Sequence, residues 1–153
     1  MIPSSVVALG NHAFRNCTNL SEVEGGESLD NIGFDVMENT AWLKNRQDEV
    51  AVLGGKVAVA APDTAQVTIP DGVTEIGDFA FNDCTGLTTV SLPGSLVTVG
   101  EGAFFSCARL ETVELPDGVK SLGDSAFYYC RALTSITIPD SVTQMGIHAF
   151  SEC

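Results

Sequence analysis

The sequence of 153 residues predicts an α/β repeat protein, a solenoid of stacked coils and not a globule. A motif recurs every 23 residues: proline, glycine seven positions later, then Ala-Phe and cysteine. Before each proline, apolar and polar residues alternate, which predicts a strand. Four regular copies begin at Pro70, Pro93, Pro116 and Pro139 and carry Cys84, Cys107, Cys130 and Cys153.

The strand of a regular copy is clearest before Pro93. Leu87, Val90 and Leu92 are expected to point inward, with Thr89 and Ser91 pointing outward between them. Proline cannot donate a hydrogen bond to a sheet, so it ends the strand.

The second half of each copy predicts a second short strand and a helical turn. Leu96 and Val99 form another apolar pair, and Gly100 is expected to supply a turn conformation that other residues resist. The helical turn should carry apolar residues on one face: Ala103, Phe104 and Cys107. One coil cannot bury this face alone, so Phe81, Phe104 and Phe127 should lie one above another.

Two further copies precede the regular ones. One begins at Pro3 and is complete, whereas a degenerate copy at 26–43 has lost the proline, the Ala-Phe pair and the cysteine. Residues 36–43 predict a short helix. Trp42 is expected to fill the core where a hairpin departs from the stack, with ligand stacking as the alternative.

An insertion at about 48–66 replaces one regular strand and predicts a β-hairpin. Two alternating runs, 49–53 and 56–60, flank Gly54-Gly55, and such a pair suits a tight turn that needs positive φ at both central residues. We therefore expect a single solenoid domain over 1–153, with repeats starting near 3, 26, 70, 93, 116 and 139. Because both ends fall inside a repeat, we expect a piece of a longer protein.

Composition restricts the function classes. The net charge is −13 with seven basic residues, which argues against nucleic acid and against anionic membrane surfaces. No apolar run approaches the roughly 20 residues that a membrane helix needs, and no signal peptide is visible.

The five cysteines all occupy one repeat position, which favours small buried apolar residues over a secreted disulfide framework. Coils about 5 Å apart leave disulfides between neighbouring coils open as an alternative. No metal site is expected, because no Cys-x-x-Cys or Cys–His pairing occurs.

No catalytic residue and no cofactor is predicted, so the chain is not expected to be an enzyme. His12 and His148 share one repeat position, interpreted as a tolerant outer one, and lie too many coils apart to share a site. Asp71, Asp117 and Asp140 follow strand-ending prolines and are interpreted as turn residues, with a weak calcium site along this acidic row as the alternative.

Outward strand positions should align in two polar columns, which we interpret as a face for a protein or an extended peptide. The first column is Glu22, Gln66, Thr89, Thr112 and Ser135, and the second is Glu24, Thr68, Ser91, Glu114 and Thr137. The tip of the hairpin at Gly54-Gly55 is a competing candidate, since projections often carry recognition.

The motif resembles the BspA-like leucine-rich repeat family. Residues 133–153, which read Leu-x-x-Ile-x-Ile-Pro through Gly146, Ala149-Phe150 and Cys153, match it almost position by position. The resemblance implies a right-handed leucine-rich-repeat solenoid with the strand ladder on its concave face. It also implies a bacterial cell-surface or secreted protein that binds host or other-cell surface proteins. A structural spacer without its own ligand is the alternative, and exposed ends predict end-to-end association.

Overall fold

The computed structural model describes residues 1–45, 50–60 and 64–153. The first coils contain β1 (Ala8–Leu9), β2 (Asn31–Ile32) and α1 (Ala41–Lys44), and the hairpin comprises β3 (Val50–Leu53) and β4 (Lys56–Ala60). The regular coils contain β5 (Gln66–Thr68), β6 (Glu75–Ile76), β7 (Thr89–Ser91), β8 (Thr98–Val99), β9 (Thr112–Glu114), β10 (Ser121–Leu122), β11 (Ser135–Thr137) and β12 (Gln144–Met145).

Parallel ladders join the coils, as the repeat predicted. One sheet has the order β5-β7-β9-β11, and a second has the order β12-β10-β8-β6-β4-β3. In both sheets each regular strand pairs with the residue 23 positions away, so Thr89 lies opposite Thr112 and Thr98 lies opposite Ser121. A separate pair, β1 and β2, joins the first two coils.

The segment from glycine to cysteine forms a third ladder made of turns, where a helical turn was expected. The Phe81 amide donates to Ala103 of the next coil at 2.8 Å, while the Cys84 amide donates within its own coil to Phe81 at 3.1 Å. Helix is interrupted because Ser125 and Tyr129 have φ of 54° and 61°, in the left-handed region. The only α-helix among the described residues is therefore α1.

The central phenylalanines stack as predicted. Ring centroids lie 4.8 Å apart for Phe81 and Phe104, 5.0 Å apart for Phe104 and Phe127, and 5.2 Å apart for Phe127 and Phe150. Phe81, Phe104 and Phe127 are fully buried. The shared apolar interior thus runs continuously through the regular coils.

The glycine of the motif has a different role from the one expected. Gly100 does not adopt a left-handed conformation. A Cβ atom there would lie 2.5 Å from the Asp78 Oδ1 atom and 2.9 Å from the Gly77 carbonyl carbon. Close approach of neighbouring coils, and not a special turn, therefore requires glycine at this position.

The hairpin is confirmed, although its ends at 46–49 and 61–63 lie outside the described residues. Gly54 and Gly55 have φ of 56° and 75°, and β3 and β4 pair antiparallel. The hairpin does not leave the stack. Its second strand β4 pairs parallel with β6, placing Lys56 opposite Glu75 and Val57 opposite Ile76.

The degenerate copy keeps the coil geometry despite its substitutions. Val36 and Met37 replace Ala-Phe and are fully buried, and the Phe14 amide donates to Val36 at 2.9 Å across the coils. The helix begins only at Ala41, because Thr40 caps it. Trp42 is buried at 7% exposure in the core beside the hairpin, in agreement with the core-filling interpretation.

Candidate functional site

The candidate binding face is the outer side of the sheet β5-β7-β9-β11, which we call the polar face. Its first column is Gln66, Thr89, Thr112 and Ser135, and its second is Thr68, Ser91, Glu114 and Thr137. All are exposed except Thr89, which is half-buried. The structure therefore brings together eight of the ten residues proposed from sequence.

The residues between the columns hold the polar face in place. Val67, Val90 and Val113 point into the core and are buried, while Ile136 is half-buried. Since the alternation is strict, each outward side chain is fixed by a buried neighbour on its own strand. One depression on this face, of about 340 Å³, lies between β9 and β11. Such a face suits an extended or flat partner better than a small molecule.

Glu22 and Glu24 do not extend the polar face. Residues 21–24 form no strand, and the carbonyl oxygen of Glu24 accepts a hydrogen bond from the Ile2 amide at 2.7 Å. The chain at Gly25 pairs with Ile2, so both glutamates lie in the first coils. The hairpin lies between these coils and β6, which separates the two glutamates from the other eight residues.

The hairpin tip is not a projection. A Cβ atom on Gly54 would lie 2.8 Å from the Gly26 carbonyl oxygen and 3.2 Å from that of Leu29. The Thr74 amide also donates to the Gly55 carbonyl oxygen at 3.0 Å. Because Gly54 packs against the first coils and Gly55 is hydrogen-bonded to the first regular coil, the expectation that this tip projects for recognition is wrong.

The two histidines and the three aspartates that follow prolines all lie in turns of the backbone. His12 and His148 both adopt left-handed φ, of 60° and 56°. The Nδ1 atom of His148 lies 3.2 Å from the Ser151 hydroxyl oxygen. Asp71, Asp117 and Asp140 are exposed in turns, as expected. Within residues 1–45, 50–60 and 64–153, no three His, Cys, Asp or Glu side chains come close enough to hold a metal ion.

Three cysteine thiols of successive coils hydrogen-bond in one column, and no disulfide joins any of the five cysteines. The Cys107 thiol donates to the Phe81 carbonyl oxygen at 3.1 Å, and the Cys130 thiol donates to that of Phe104 at 3.3 Å. Burial raises the pKa of Cys107 far above its ordinary value, and the neighbouring Cys84 and Cys130 thiols raise it further. Burial likewise raises the pKa of Cys130 to about 12. These thiols are consequently poor nucleophiles.

The burial predicted for all five cysteines holds only for Cys84, Cys107 and Cys130. Cys17 and Cys153 are exposed, because each lies in an outermost coil of the described stack. Burial still raises the pKa of Cys153, whose thiol donates to the Phe127 carbonyl oxygen at 3.1 Å.

A second aromatic column, which was not predicted from the sequence, lies on the turn ladder. The rings of Phe105 and Tyr128 stack at 5.1 Å, Tyr129 packs on Tyr128 at 4.7 Å, and the Arg131 guanidinium lies 4.5 Å from the centre of the Tyr129 ring. The 23-residue spacing of Phe105 and Tyr128 is the signal that could have revealed it. These rings cover one another, so they stabilise the turn ladder.

The family model for the BspA type leucine rich repeat region matches residues 1–47 and 60–153, in six copies. The chain belongs to this family. Leucine-rich repeats in general mediate protein binding, and they are generally non-catalytic. Among proteins with curated functions, none matches the chain. The one helix in the described part of the chain has four residues, too few to cross a membrane.

Solved structures of bacterial leucine-rich repeat proteins resemble this member of the BspA family over nearly its whole length. A protein from Bacteroides ovatus is 29% identical with a TM-score of 0.61, covering 99% of this chain and 40% of that one. A leucine-rich repeat protein of T. pallidum is 24% identical with a TM-score of 0.58, covering 97% and 49%. A leucine rich cell surface protein from Faecalibacterium prausnitzii is 20% identical with a TM-score of 0.59, covering 99% and 50%. The chain thus spans half or less of the length of these proteins.

Proposed function

We propose that this chain is a non-enzymatic binding module of a bacterial cell-surface or secreted protein, and that it adheres to a host or other-cell surface protein. The observation that carries the proposal is the polar face, on which eight side chains lie in two columns over four paired strands. Short hydroxyl side chains dominate it and lose little conformational freedom on binding. They offer hydrogen bonds along a line to a protein or an extended peptide.

The location at the cell surface is part of the same proposal. The neighbour from Faecalibacterium prausnitzii is described as a cell surface protein, and the family match supports the comparison. The net charge of −13 favours a partner whose contact surface is neutral or basic.

Binding measurements on purified protein test the proposal. The intact protein is immobilised and exposed to a panel of purified extracellular-matrix and plasma proteins, with saturable binding as the expected result. A triple variant, Thr89→Ala with Glu114→Ala and Thr137→Ala, should lose at least tenfold in affinity. The matched control substitutes Thr98, Ser121 and Gln144 by alanine, because these residues form a similar polar column on the other sheet. Equal losses in both variants would overturn the assignment of the polar face.

The second candidate is a spacer that holds other domains apart. The regularity of the coils favours it, because parallel ladders join the backbones of all the regular coils. A spacer predicts no saturable binding to any member of the panel and no effect of the triple variant. Its mechanical role would appear as resistance of the regular coils to unfolding under force.

End-to-end self-association is a further part of the proposal. Met145 and Ile147 in the last coil are 52% and 69% exposed, and β11 and β12 are the edge strands of their sheets. Exposed strand edges beside apolar side chains favour pairing with another chain. Light scattering should show a mass that rises with concentration, and Met145→Lys with Ile147→Lys should return it to that of a monomer.

A further inference from the structure

The solenoid has a structural discontinuity at the hairpin. Its apolar interior is divided into two clusters, one that includes Leu29, Ile32 and Trp42 and one that runs from Val57 through the regular coils. The hairpin contributes to both. Ala51, Leu53 and Ala58 belong to the first cluster, whereas Val50, Val57 and Ala60 belong to the second.

Backbone hydrogen bonds are divided in the same way as the apolar interior. The first two coils are joined to each other, for example by the Gly33 amide, which donates to the Leu9 carbonyl oxygen at 2.8 Å. The hairpin is joined to the regular coils, as the Gly77 amide donates to the Val57 carbonyl oxygen at 2.9 Å. Across the described parts of the chain, no backbone hydrogen bond connects 1–45 with either 50–60 or 64–153.

Among these residues, side chains make the hydrogen bond and the ring contact across the joint, and the Gly54 backbone packs against the carbonyl oxygens of Gly26 and Leu29. Phe34 and Phe79 meet edge to face, with ring centroids 5.6 Å apart. Lys56 donates to the carbonyl oxygen of Asp30 and pairs with the carboxylate of Glu75 at 2.9 Å. Among the hairpin side chains that the structure describes, two alanines and Leu53 belong to the apolar cluster of the first coils, and they offer little area to bury.

A cleft of about 320 Å³ opens beside the joint. Arg15 and Glu38 line it from the first coils, Asn82 and Asp83 line it from the regular coils, and Ala58 and Ala60 are also part of the lining. The ladder made of turns ends here because β4 is extended, although the Ala60 amide still donates to the Ala80 carbonyl oxygen at 2.9 Å. Packing is thus weaker at the joint than between the coils on either side.

We propose that the first two coils, 1–45, open and unfold together as one unit, while the hairpin stays in place as a cap on the regular coils. The physical basis is that every regular coil is tied to the next by three ladders, whereas no backbone ladder crosses the joint in the described part of the chain. Opening at the joint therefore costs less free energy than unfolding the regular coils. The inference does not rest on the proposed function. It does explain why Glu22 and Glu24 are separate from the polar face.

Native-state amide exchange on the intact protein at increasing denaturant tests the proposal. The amides of Phe14 and Gly33 should exchange with one shared free energy that is lower than that of Gly100 and Phe104. Leu53→Ala, on the hairpin side that faces the first coils, should speed exchange of Phe14 and Gly33 by about a hundredfold. It should change exchange of Gly100 and Phe104 by less than about threefold.

The matched control is Val57→Ala, on the opposite side of the same hairpin, which should speed exchange in the regular coils instead. If Leu53→Ala fails to fold, the milder Leu53→Val is used, with about tenfold faster exchange expected in the same amides. The proposal is overturned if all four amides share one free energy of opening, or if both variants accelerate both regions equally.

Discussion

The ring of Phe104 lies parallel to that of Phe127, with centroids 5.0 Å apart and planes inclined by 7°. Phe81 covers the other side of Phe104 at 4.8 Å. Phe104 and Phe127 are therefore each in contact with the ring of the coil before and of the coil after. The stability of one coil depends on both of its neighbours, as is general for repeat proteins.

Replacing Phe104 by alanine should destabilise the protein more than the same change at Phe150. Phe104 is fully buried between two rings, and its loss should cost about 3–5 kcal/mol of unfolding free energy. Phe150 is half-buried and stacks only on Phe127, so its replacement should cost clearly less. Urea unfolding of both variants measures the difference, and equal costs would argue against a shared interior.

Much of the fold could be predicted because equivalent residues of neighbouring coils are separated by a constant number of positions in the sequence. A period of 23 residues places each strand beside the strand one period away, and alternation within the strand decides which side is buried. The pairing of Thr89 with Thr112 and the stacking of Phe81 on Phe104 follow from these two facts.

The turn ladder could not be predicted in the same way. Residues such as Ser125 and Tyr129 adopt left-handed φ, although neither is a residue type that favours it. Apolar spacing over a few residues fits a helical turn equally well. Only the hydrogen bonds to the neighbouring coil distinguish the turn ladder from a helical turn. These bonds join residues 22 positions apart, such as Phe81 and Ala103.

The polar face was predicted only in part, for a related reason. The spacing of Glu22 and Glu24 matches that of the other columns, but spacing does not reveal what lies between two coils. Side chains on both strands of the hairpin alternate between its two faces. The sequence shows this alternation, but it does not show that each face packs against a different apolar cluster. Its role as a layer inside the stack depends on tertiary packing.

Gly123→Ala should destabilise the protein strongly, whereas Gly94→Ala should not. A Cβ atom on Gly123 would lie 2.5 Å from the Glu101 nitrogen and 2.5 Å from the Gly100 carbonyl carbon, so the two coils would have to separate. Such overpacking costs about 1–3 kcal/mol or more. Around Gly94 nothing lies within 4 Å, and its φ is not left-handed.

Thermal unfolding of both glycine variants measures the effect. For a protein of this size, about 1 kcal/mol lowers the melting temperature by about 2–4 °C. Gly94→Ala should leave the melting temperature unchanged or raise it, since alanine reduces the entropy of the unfolded chain. A melting temperature for Gly123→Ala within a degree of the Gly94→Ala value would refute the close-approach argument.

The buried thiols should make the protein less stable at alkaline pH. Folding raises the pKa of Cys130 from 9.0 to about 12, so the native state holds the proton that the unfolded state releases. This contribution to stability is complete below pH 9.0 and is lost as the pH rises toward about 12. Cys107 acts in the same direction, because burial raises its pKa as well.

Urea unfolding at about pH 8 and about pH 10.5 should show this loss in the wild-type protein. Cys130→Ala should reduce the difference between the two pH values, whereas Cys17→Ala should not, because Cys17 is exposed. The comparison separates the thiol contribution from other groups that titrate in the same range. Identical alkaline losses in the wild-type protein and both variants would contradict the assigned cause.

Thr40 should be sensitive to loss of its hydroxyl group but not to loss of its methyl group. It is fully buried, and its Oγ1 donates to the Met37 carbonyl oxygen at 2.8 Å and accepts from the Leu43 amide at 3.1 Å. Thr40→Val keeps the shape but removes both bonds and the helix cap, which should cost about 1–3 kcal/mol. Thr40→Ser retains them and should cost clearly less. Urea unfolding compares the free energies of the two variants, and amide exchange at Leu43 gives a local readout. If Thr40→Val were as stable as Thr40→Ser, packing and not hydrogen bonding would account for the stability contributed by this residue.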